Sequence, residues 1–284
     1  MLKILFVILY VIIAPLLGGL MAGIDRKITS RLQGRVGPPV FQPFYDVLKL
    51  FKKETMVVRR SQNFYVLFSL ILVIFTTGLF AWGANILLVI FALTLSSIFF
   101  VLGGFKASSP YSFIGSQREL IQIASYEPAV LLSAIGMYMV TDSFNIMTIF
   151  IYNKPLYIPL AGIVLSYLFI LPIKLRKSPF DLSTSHHAHQ ELVKGITTEF
   201  SGRALALIEI THWYESTIAL GIVFLFFSPN ILTGVLAAAV VYFLMIIVDN
   251  SFARVKWQKA FSSSWLVALI LGVGNIIILS CLSK

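Results

Sequence analysis

The chain is short of charge and nearly without cysteine. Only 12% of its 284 residues are charged, whereas soluble domains carry about 25%. The single thiol, Cys281, rules out an internal disulfide. It also rules out an iron–sulfur cluster held by this chain, since such a cluster takes about four ligands, usually cysteine. Any redox centre that works with this protein belongs to another subunit. Long polar stretches are missing as well, which leaves no room for a separate soluble domain. What fills the chain is apolar: 58% of residues are hydrophobic and the mean hydropathy is +0.91. Apolar runs long enough to cross a bilayer, about 18 residues or more, recur along the whole length.

This pattern predicts an all-α membrane protein with eight spans, folded as one polytopic domain over 1–284. The spans are expected near 2–22, 64–82, 85–105, 120–140, 157–175, 204–227, 231–248 and 263–282. The first resembles a signal peptide only superficially. Its apolar run, Ile4 to about Ala22, exceeds the usual h-region of about 7–15 residues, and a basic loop follows, so it is expected to be retained.

The formal net charge of +10 has a topological explanation rather than a nucleic-acid one. Of the 22 lysines and arginines, 19 fall in four connections: 23–63, 105–119, 174–203 and 249–262. Only Lys3, Lys154 and Lys284 lie on the other side. The positive-inside rule then puts these four loops in the cytoplasm and both termini outside. The opposite loops 82–85 and 228–230 are very short, so a partner that docks on loops docks on the cytoplasmic side. No internal repeat is evident, and the candidate helix breaks, Pro15 and Pro172, do not correspond. That argues against an inverted-repeat transporter working alone.

Several charges stand where charges are expensive. The fourth span begins "SQRELIQIASYEPAVLLSAIG", with Glu119 at its edge and Glu127 two turns deeper. Eight residues advance a helix by roughly 80° beyond two turns, so the two acids share a broad face. Arg118, Gln122 and Tyr126 are polar neighbours. Pro128 is tolerated there only if another group satisfies the carbonyl it frees. The sixth span reads "ALALIEITHWYESTIALG" and carries Glu209, His212 and Glu215 at steps of three. An ionised acid at mid-membrane costs about 2.5–3.5 kcal/mol on the insertion scale, so an ion or proton pathway is the functional reading. A packed polar cluster near the interface is the bland one. "EITH" is a single Glu-x-x-His pair, and a di-metal carboxylate bundle needs two such pairs plus two further glutamates, so no metal is expected.

The first loop, "DRKITSRLQGRVGPPVFQPFYDVLKLFKKE", combines a sharp reversal at "GRVGPP" with an amphipathic segment. Phe44, Val47, Leu48 and Phe51 fall at i, i+3, i+4 and i+7, with Lys49, Lys52 and Lys53 mostly elsewhere. A short interfacial helix is expected, its apolar face in lipid or against the spans. With Arg31 and Arg35 it forms either a solvated basic ledge or a dock for a peripheral protein. Residues 178–202, "SPFDLSTSHHAHQELVKGITTEFSG", hold His186, His187, His189 and Glu191. These are zinc-ligand types, but their spacing fits no zinc signature. A hydrogen-bonded contact surface and a proton-handling role are the other readings.

Taken together, "RLQGRVGPPVFQPFYDVLKLFKKE" (31–54), "GSQRELIQIASYE" (115–127) and 178–202 resemble the membrane subunit of respiratory complex I that borders the quinone chamber. They look closer still to its relative in energy-converting, membrane-bound nickel–iron hydrogenases of the formate hydrogenlyase type. The likeness covers the whole chain, in order. It implies a subunit that is not itself a catalyst. It would anchor a redox arm and link electron transfer to antiporter-like subunits that move protons or sodium across a prokaryotic cell membrane. Iron–sulfur clusters and the nickel–iron centre would sit in the hydrogenase large, small and iron–sulfur subunits, with no cofactor in this chain. By motif, Arg118, Gln122, Tyr126, Glu127, Asp181, Glu191 and Glu199 match the family's acidic funnel. Compared with complex I, the first loop is contracted to "GPPVFQP" and the stretch after "FDL" is "STSHHAH" instead of acidic. The acid expected in the sixth span falls on His212, with Glu209 and Glu215 to either side. These departures favour the hydrogenase-like branch over quinone reduction. A sulfur-reducing relative of that branch would look much the same. The implied relay runs through Glu119, Glu127, Asp181, Glu191, Glu199, Glu209, His212 and Glu215. A purely structural anchor is the alternative of another class.

Overall fold

The computed structural model describes residues 2–55, 60–181, 183, 192 and 194–282. In chain order the helices are α1 (Leu2–Leu32), α2 (Gln42–Lys52), α3 (Arg60–Trp82), α4 (Ile86–Phe105), α5 (Pro110–Thr141) and α6 (Ile146–Ile151). There follow α7 (Ala161–Lys174), α8 (Gly202–Phe226), α9 (Ile231–Ser251), α10 (Trp257–Val267) and α11 (Gly274–Leu282). A 3-10 turn, Gly195–Thr197, precedes α8, and a π-helical stretch, Ala268–Val273, joins α10 to α11. Among the described residues there is no β-strand, only two isolated bridges.

Among the described residues, six helices are long and apolar enough to cross a membrane: Leu2–Leu32, Ser61–Trp82, Ile86–Phe105, Pro110–Thr141, Ile231–Ser251 and Trp257–Leu282. The other two expected spans correspond to α7, which is apolar but only 14 residues long, and α8. The length of α8 suffices at 25 residues, but Glu209, His212 and Glu215 dilute its hydropathy. Two boundaries differ from the hydropathy reading. α1 continues ten residues past 22, and α5 starts ten residues before 120. Charge ends an apolar run without ending a helix. The helical hydrogen-bond ladder of α1 stops only at Gly34, whose positive φ of 70° closes a Schellman motif: Gly34 N–H to Arg31 O, 3.1 Å, and Arg35 N–H to Ser30 O, 2.8 Å.

Packing divides the chain into two compact units. One comprises Met1–Gly78, Ala92–Leu120 and Asp181–Thr217; the other comprises Leu79–Phe91, Ile121–Phe180 and Ile218–Lys284.

In the first unit, α1 turns leucine, isoleucine and phenylalanine outward and buries Ala14, Gly18, Gly19 and Gly23. That is the arrangement lipid favours: apolar side chains need no shelter from hydrocarbon, while small residues let helices approach. α3 and α4 are joined by reciprocal serine bonds. Ser69 Oγ donates to Ser96 O (2.9 Å) and Ser96 Oγ donates to Ser69 O (2.8 Å). Pro15 lacks the N–H that would serve Val11 O, and the Tyr214 hydroxyl of α8 donates to that carbonyl at 2.9 Å. α2 rests on this scaffold. Its Val47 is buried with Ala206 and Trp213, and Phe44 meets the Trp213 ring at 5.2 Å between centroids. The buried face is therefore Pro43, Phe44, Val47 and Leu50, while Leu48 and Phe51 of the expected stripe stay exposed.

In the second unit, Pro128 frees the carbonyl of Ala124, and the indole N–H of Trp265 fills it at 3.1 Å. The N-terminus of α7 has no cap from its own chain neighbour. Asn275 serves instead, accepting from Ile163 N–H at 3.3 Å and donating to Pro159 O at 3.1 Å. α7 ends in another Schellman motif: Arg176 N–H to Ile173 O, 3.1 Å, and Lys177 N–H to Pro172 O, 2.8 Å. Here the left-handed position is held by Arg176, with φ of 55°. A side chain in that conformation costs about 1–2 kcal/mol that glycine would not.

Candidate functional site

In the first unit polar groups gather where Asp181, Ser183 and the Gly195–Thr197 turn meet the start of α5. Arg118 Nη1 donates to Asp181 Oδ2 at 3.1 Å, with the two side chains 16% and 9% exposed. Nearby, the Ser183 hydroxyl donates to the Glu119 carboxylate, which is buried. The far end of the same segment returns to the same helix. Ser112 Oγ donates to Ile196 O at 3.3 Å and to Gly104 O of α4 at 3.2 Å. Ile196 is fully buried. Two glycines permit this closeness: a Cβ on Gly115 would overlap the Ile196 amide, and one on Gly195, whose φ is +36°, would overlap Ser183 O. Both feet of the segment thus stand on the first three turns of α5. Glu199 is half-buried, and its main-chain carbonyl accepts from Gln62 Nε2 at 3.4 Å.

A second group in this unit links α8 to α4. His212 Nδ1 and Glu215 Oε2 lie 3.1 Å apart, with side chains 19% and 11% exposed. Ser97 Oγ donates to Glu215 Oε1 at 3.3 Å. The Phe100 ring stands edge-on to the imidazole, 5.6 Å between centroids. Hydroxyl, carboxylate and imidazole in sequence form a chain that can pass a proton, shielded by apolar neighbours. Glu209 is half-buried on α8, six residues before Glu215.

In the second unit, Gln122 and Tyr126 are buried on α5 and Glu127 is half-buried. The Lys174 ammonium lies 4.4 Å from the centroid of the Tyr126 ring, within cation–π range. Of the residues expected to dock a partner, Arg31, Arg35, Lys49, Lys52 and Lys53 are all exposed. His186, His187, His189 and Glu191 lie outside the described residues. Among the described residues, no three His, Cys, Asp or Glu side chains converge as a metal site.

The NADH dehydrogenase family profile matches residues 2–280 of this chain. The chain belongs to the NADH dehydrogenase family. Within it, hydrogenase-4 component C of Escherichia coli (strain K12) is 28% identical over 268 residues, covering 84% of each chain. An NADH-quinone oxidoreductase subunit of Geobacillus kaustophilus (strain HTA426) is 27% identical over 283 residues, covering 87% of this chain and 84% of that one. Among solved structures, a chain of the membrane-bound sulfane sulfur reductase, an archaeal respiratory membrane complex, superposes with a TM-score of 0.86 at 22% identity. That match covers 98% of this chain and 100% of the other. The resemblance carried by the three motifs therefore stands at the level of the family and of the fold.

For this NADH dehydrogenase family chain, sequence alone pairs neither Ser97 with Glu215 nor Ser183 with Glu119. "LTLSSIFF" does offer a signal, since two serines inside an apolar span read as interhelical hydrogen bonds. Lys174 and Lys177 register in the sequence only as charges that set topology.

Proposed function

We propose that this chain is the membrane subunit of an ion-translocating redox complex of the membrane-bound hydrogenase type. It anchors the peripheral redox arm and carries the effect of electron transfer to antiporter-like partners that move protons or sodium. The observation that supports coupling most directly is the double footing on α5, of Asp181 and Ser183 on one side and Ile196 on the other. Arg118–Asp181 and Glu119–Ser183 hold one end, and Ser112–Ile196 holds the other. A charge change in the arm, received at Asp181, Glu191 and Glu199, then acts on α5 through short polar contacts. It passes to Glu119 and Glu127 along that helix and to Glu209, His212 and Glu215 along α8. In a low dielectric, charges a few ångströms apart interact strongly, so one added charge is felt by its neighbours.

In this reading the chain has eight spans, α7 and α8 included, with both termini outside and the basic connections in the cytoplasm of a prokaryotic cell. Arg31, Arg35, Lys49, Lys52 and Lys53, with the histidines at 186, 187 and 189, face the arm. Iron–sulfur clusters and the nickel–iron centre belong to the arm's subunits.

Two experiments test it. Native purification with partner identification and nickel, iron and flavin analysis is expected to return nickel and a hydrogenase large subunit. Flavin with a quinone-reactive complex overturns the hydrogenase assignment, and an arm without nickel points to the sulfur-reducing branch. In the assembled complex, Glu127→Gln is expected to lower ion uptake. If hydrogen evolution and pumping both persist unchanged, Glu127 is outside the relay. Tolerance of neutral substitution at every relay acid would make the chain a structural anchor.

A further inference from the structure

Between the Gly195–Thr197 turn and the polar pair on α8 stands one face of α4. Ser97, Phe100 and Gly104 fall at i, i+3 and i+7, within an arc of about 60°. Gly104 is where the turn packs. Its carbonyl accepts from Ser112 Oγ, which also serves Ile196 O, and a Cβ on it would run into the Ile196 side chain. One helical turn back, the Phe100 ring lies 6.3 Å from that of Phe200, with 29° between the ring planes. Phe200 is tied to the turn by its N–H, which donates to Thr197 O at 3.2 Å. Next to it, Glu199 O accepts from Gln62 Nε2 of α3.

The same Phe100 ring meets the His212 imidazole, 5.6 Å between centroids and nearly perpendicular at 86°. Both separations fall within the range of direct aromatic contact. Phe100 and Phe200 are 3% and 4% exposed. In an interior packed that closely, a ring displaced on one side displaces what it touches on the other. Ser97 completes the arrangement. The Glu215 carboxylate has Oε1 on the Ser97 hydroxyl and Oε2 at 3.1 Å from His212 Nδ1. α4 therefore holds both members of the pair, Glu215 by a hydrogen bond and His212 by ring contact. The last torsion of a histidine is broad unless packing narrows it, and a rotation about it takes Nδ1 away from the carboxylate.

We propose that Phe100 is a positioning residue of the coupling path. Through Phe200 it senses how the turn is seated, and by its contact with His212 it fixes the angle of the imidazole against Glu215. With the turn seated, the three rings are in contact and Nδ1 stays on Oε2. When the turn shifts, Phe200 gives the Phe100 ring room, the imidazole is freed to rotate, and the His212–Glu215 contact slackens. Phe100 carries no charge and no exchangeable proton, so it acts only through its neighbours. This inference rests on the coupling role proposed above and adds α4 as the helix that brings the turn to the pair.

The test uses the intact complex reconstituted in sealed vesicles and driven by reduced ferredoxin, with redox turnover and ion uptake per electron both measured. Phe100→Leu keeps an apolar side chain but removes the flat ring. Turnover is expected to stay within about twofold of the wild type while uptake per electron falls about tenfold. Phe100→Tyr keeps the ring and is expected to retain most of the uptake; an equal loss in both variants would show that the ring is not what matters. Phe200→Leu is expected to lose uptake as Phe100→Leu does. Combining the two should cost no more than either alone, because the rings act in series. Losses that multiply in the double variant mean independent roles and overturn the proposal. A lowered unfolding temperature with normal uptake per electron in Phe100→Leu, or failure of both Phe100 variants to assemble, makes Phe100 a folding residue and overturns it as well. Absence of redox-driven uptake in the wild-type complex is a distinct result, which takes down the coupling role and this proposal together.

Discussion

Arg118 and Asp181 illustrate how a buried pair ties residues that the sequence keeps far apart. With side chains 16% and 9% exposed, loss of one partner strands the other. Asp181→Asn is expected to destabilise the assembled complex by about 3–5 kcal/mol. The double variant Arg118→Gln/Asp181→Asn should lose less than either single change. Thermal unfolding of the purified complex in detergent checks both. Tyr214 offers a sharper test, because its hydroxyl serves a carbonyl that only Pro15 leaves open. Tyr214→Phe is expected to cost about 1–3 kcal/mol. In a Pro15→Ala background, where the residue-15 N–H can serve Val11 O, the penalty should nearly vanish. An equal penalty in both backgrounds would show that the proline is irrelevant. Buried acids such as Glu119 and Glu215 are legible in the sequence, since any carboxylate in an apolar run must find protein or water. Lys177 is not, because a lysine at a span end usually reaches the interface, and only the turn at Arg176 sends this one inward.

Helices are easier to place from sequence than their ends and faces. Hydropathy reports where lipid stops, whereas helix length follows the backbone ladder and its caps, so α1 and α5 outrun their apolar cores by ten residues each. The amphipathic helix α2 forms where its periodicity predicts, around Phe44–Phe51, but its neighbours decide which edge of the apolar arc is buried. Trp213 and Ala206 take Val47 with Phe44 and Leu50, leaving Leu48 and Phe51 outside. The turn Gly195–Thr197 is the element on which the proposed coupling most depends. Gly115→Ala puts a methyl where the Ile196 amide sits, so the turn must lift away. Faster proteolysis within 178–202 and lower ion uptake per electron are expected together. An unchanged cleavage pattern would mean that the footing on α5 tolerates the methyl.

For the molecule as a whole, topology can be read from a residue the chain already has. Cys281 is its one cysteine and is exposed. If both termini lie outside, as proposed, a membrane-impermeant maleimide labels Cys281 in intact spheroplasts as well as in detergent. Labelling only after detergent would reverse the orientation drawn from the 19 basic residues on one side.

Composition and charge placement alone determined that this is a many-span helical protein, and which connections are basic. These follow from the cost of putting charge and open backbone in hydrocarbon, a cost that acts on each segment separately. The three motifs carried the family. Tertiary structure alone decided which polar groups meet. Arg118 finds Asp181, Glu119 finds Ser183, and Ser97 finds Glu215 across 63, 64 and 118 residues of sequence. No local rule fixes such pairings, because in lipid the apolar surface exerts little pull of its own. What brings these helices into register is small-residue packing and the need of each buried polar group for a partner.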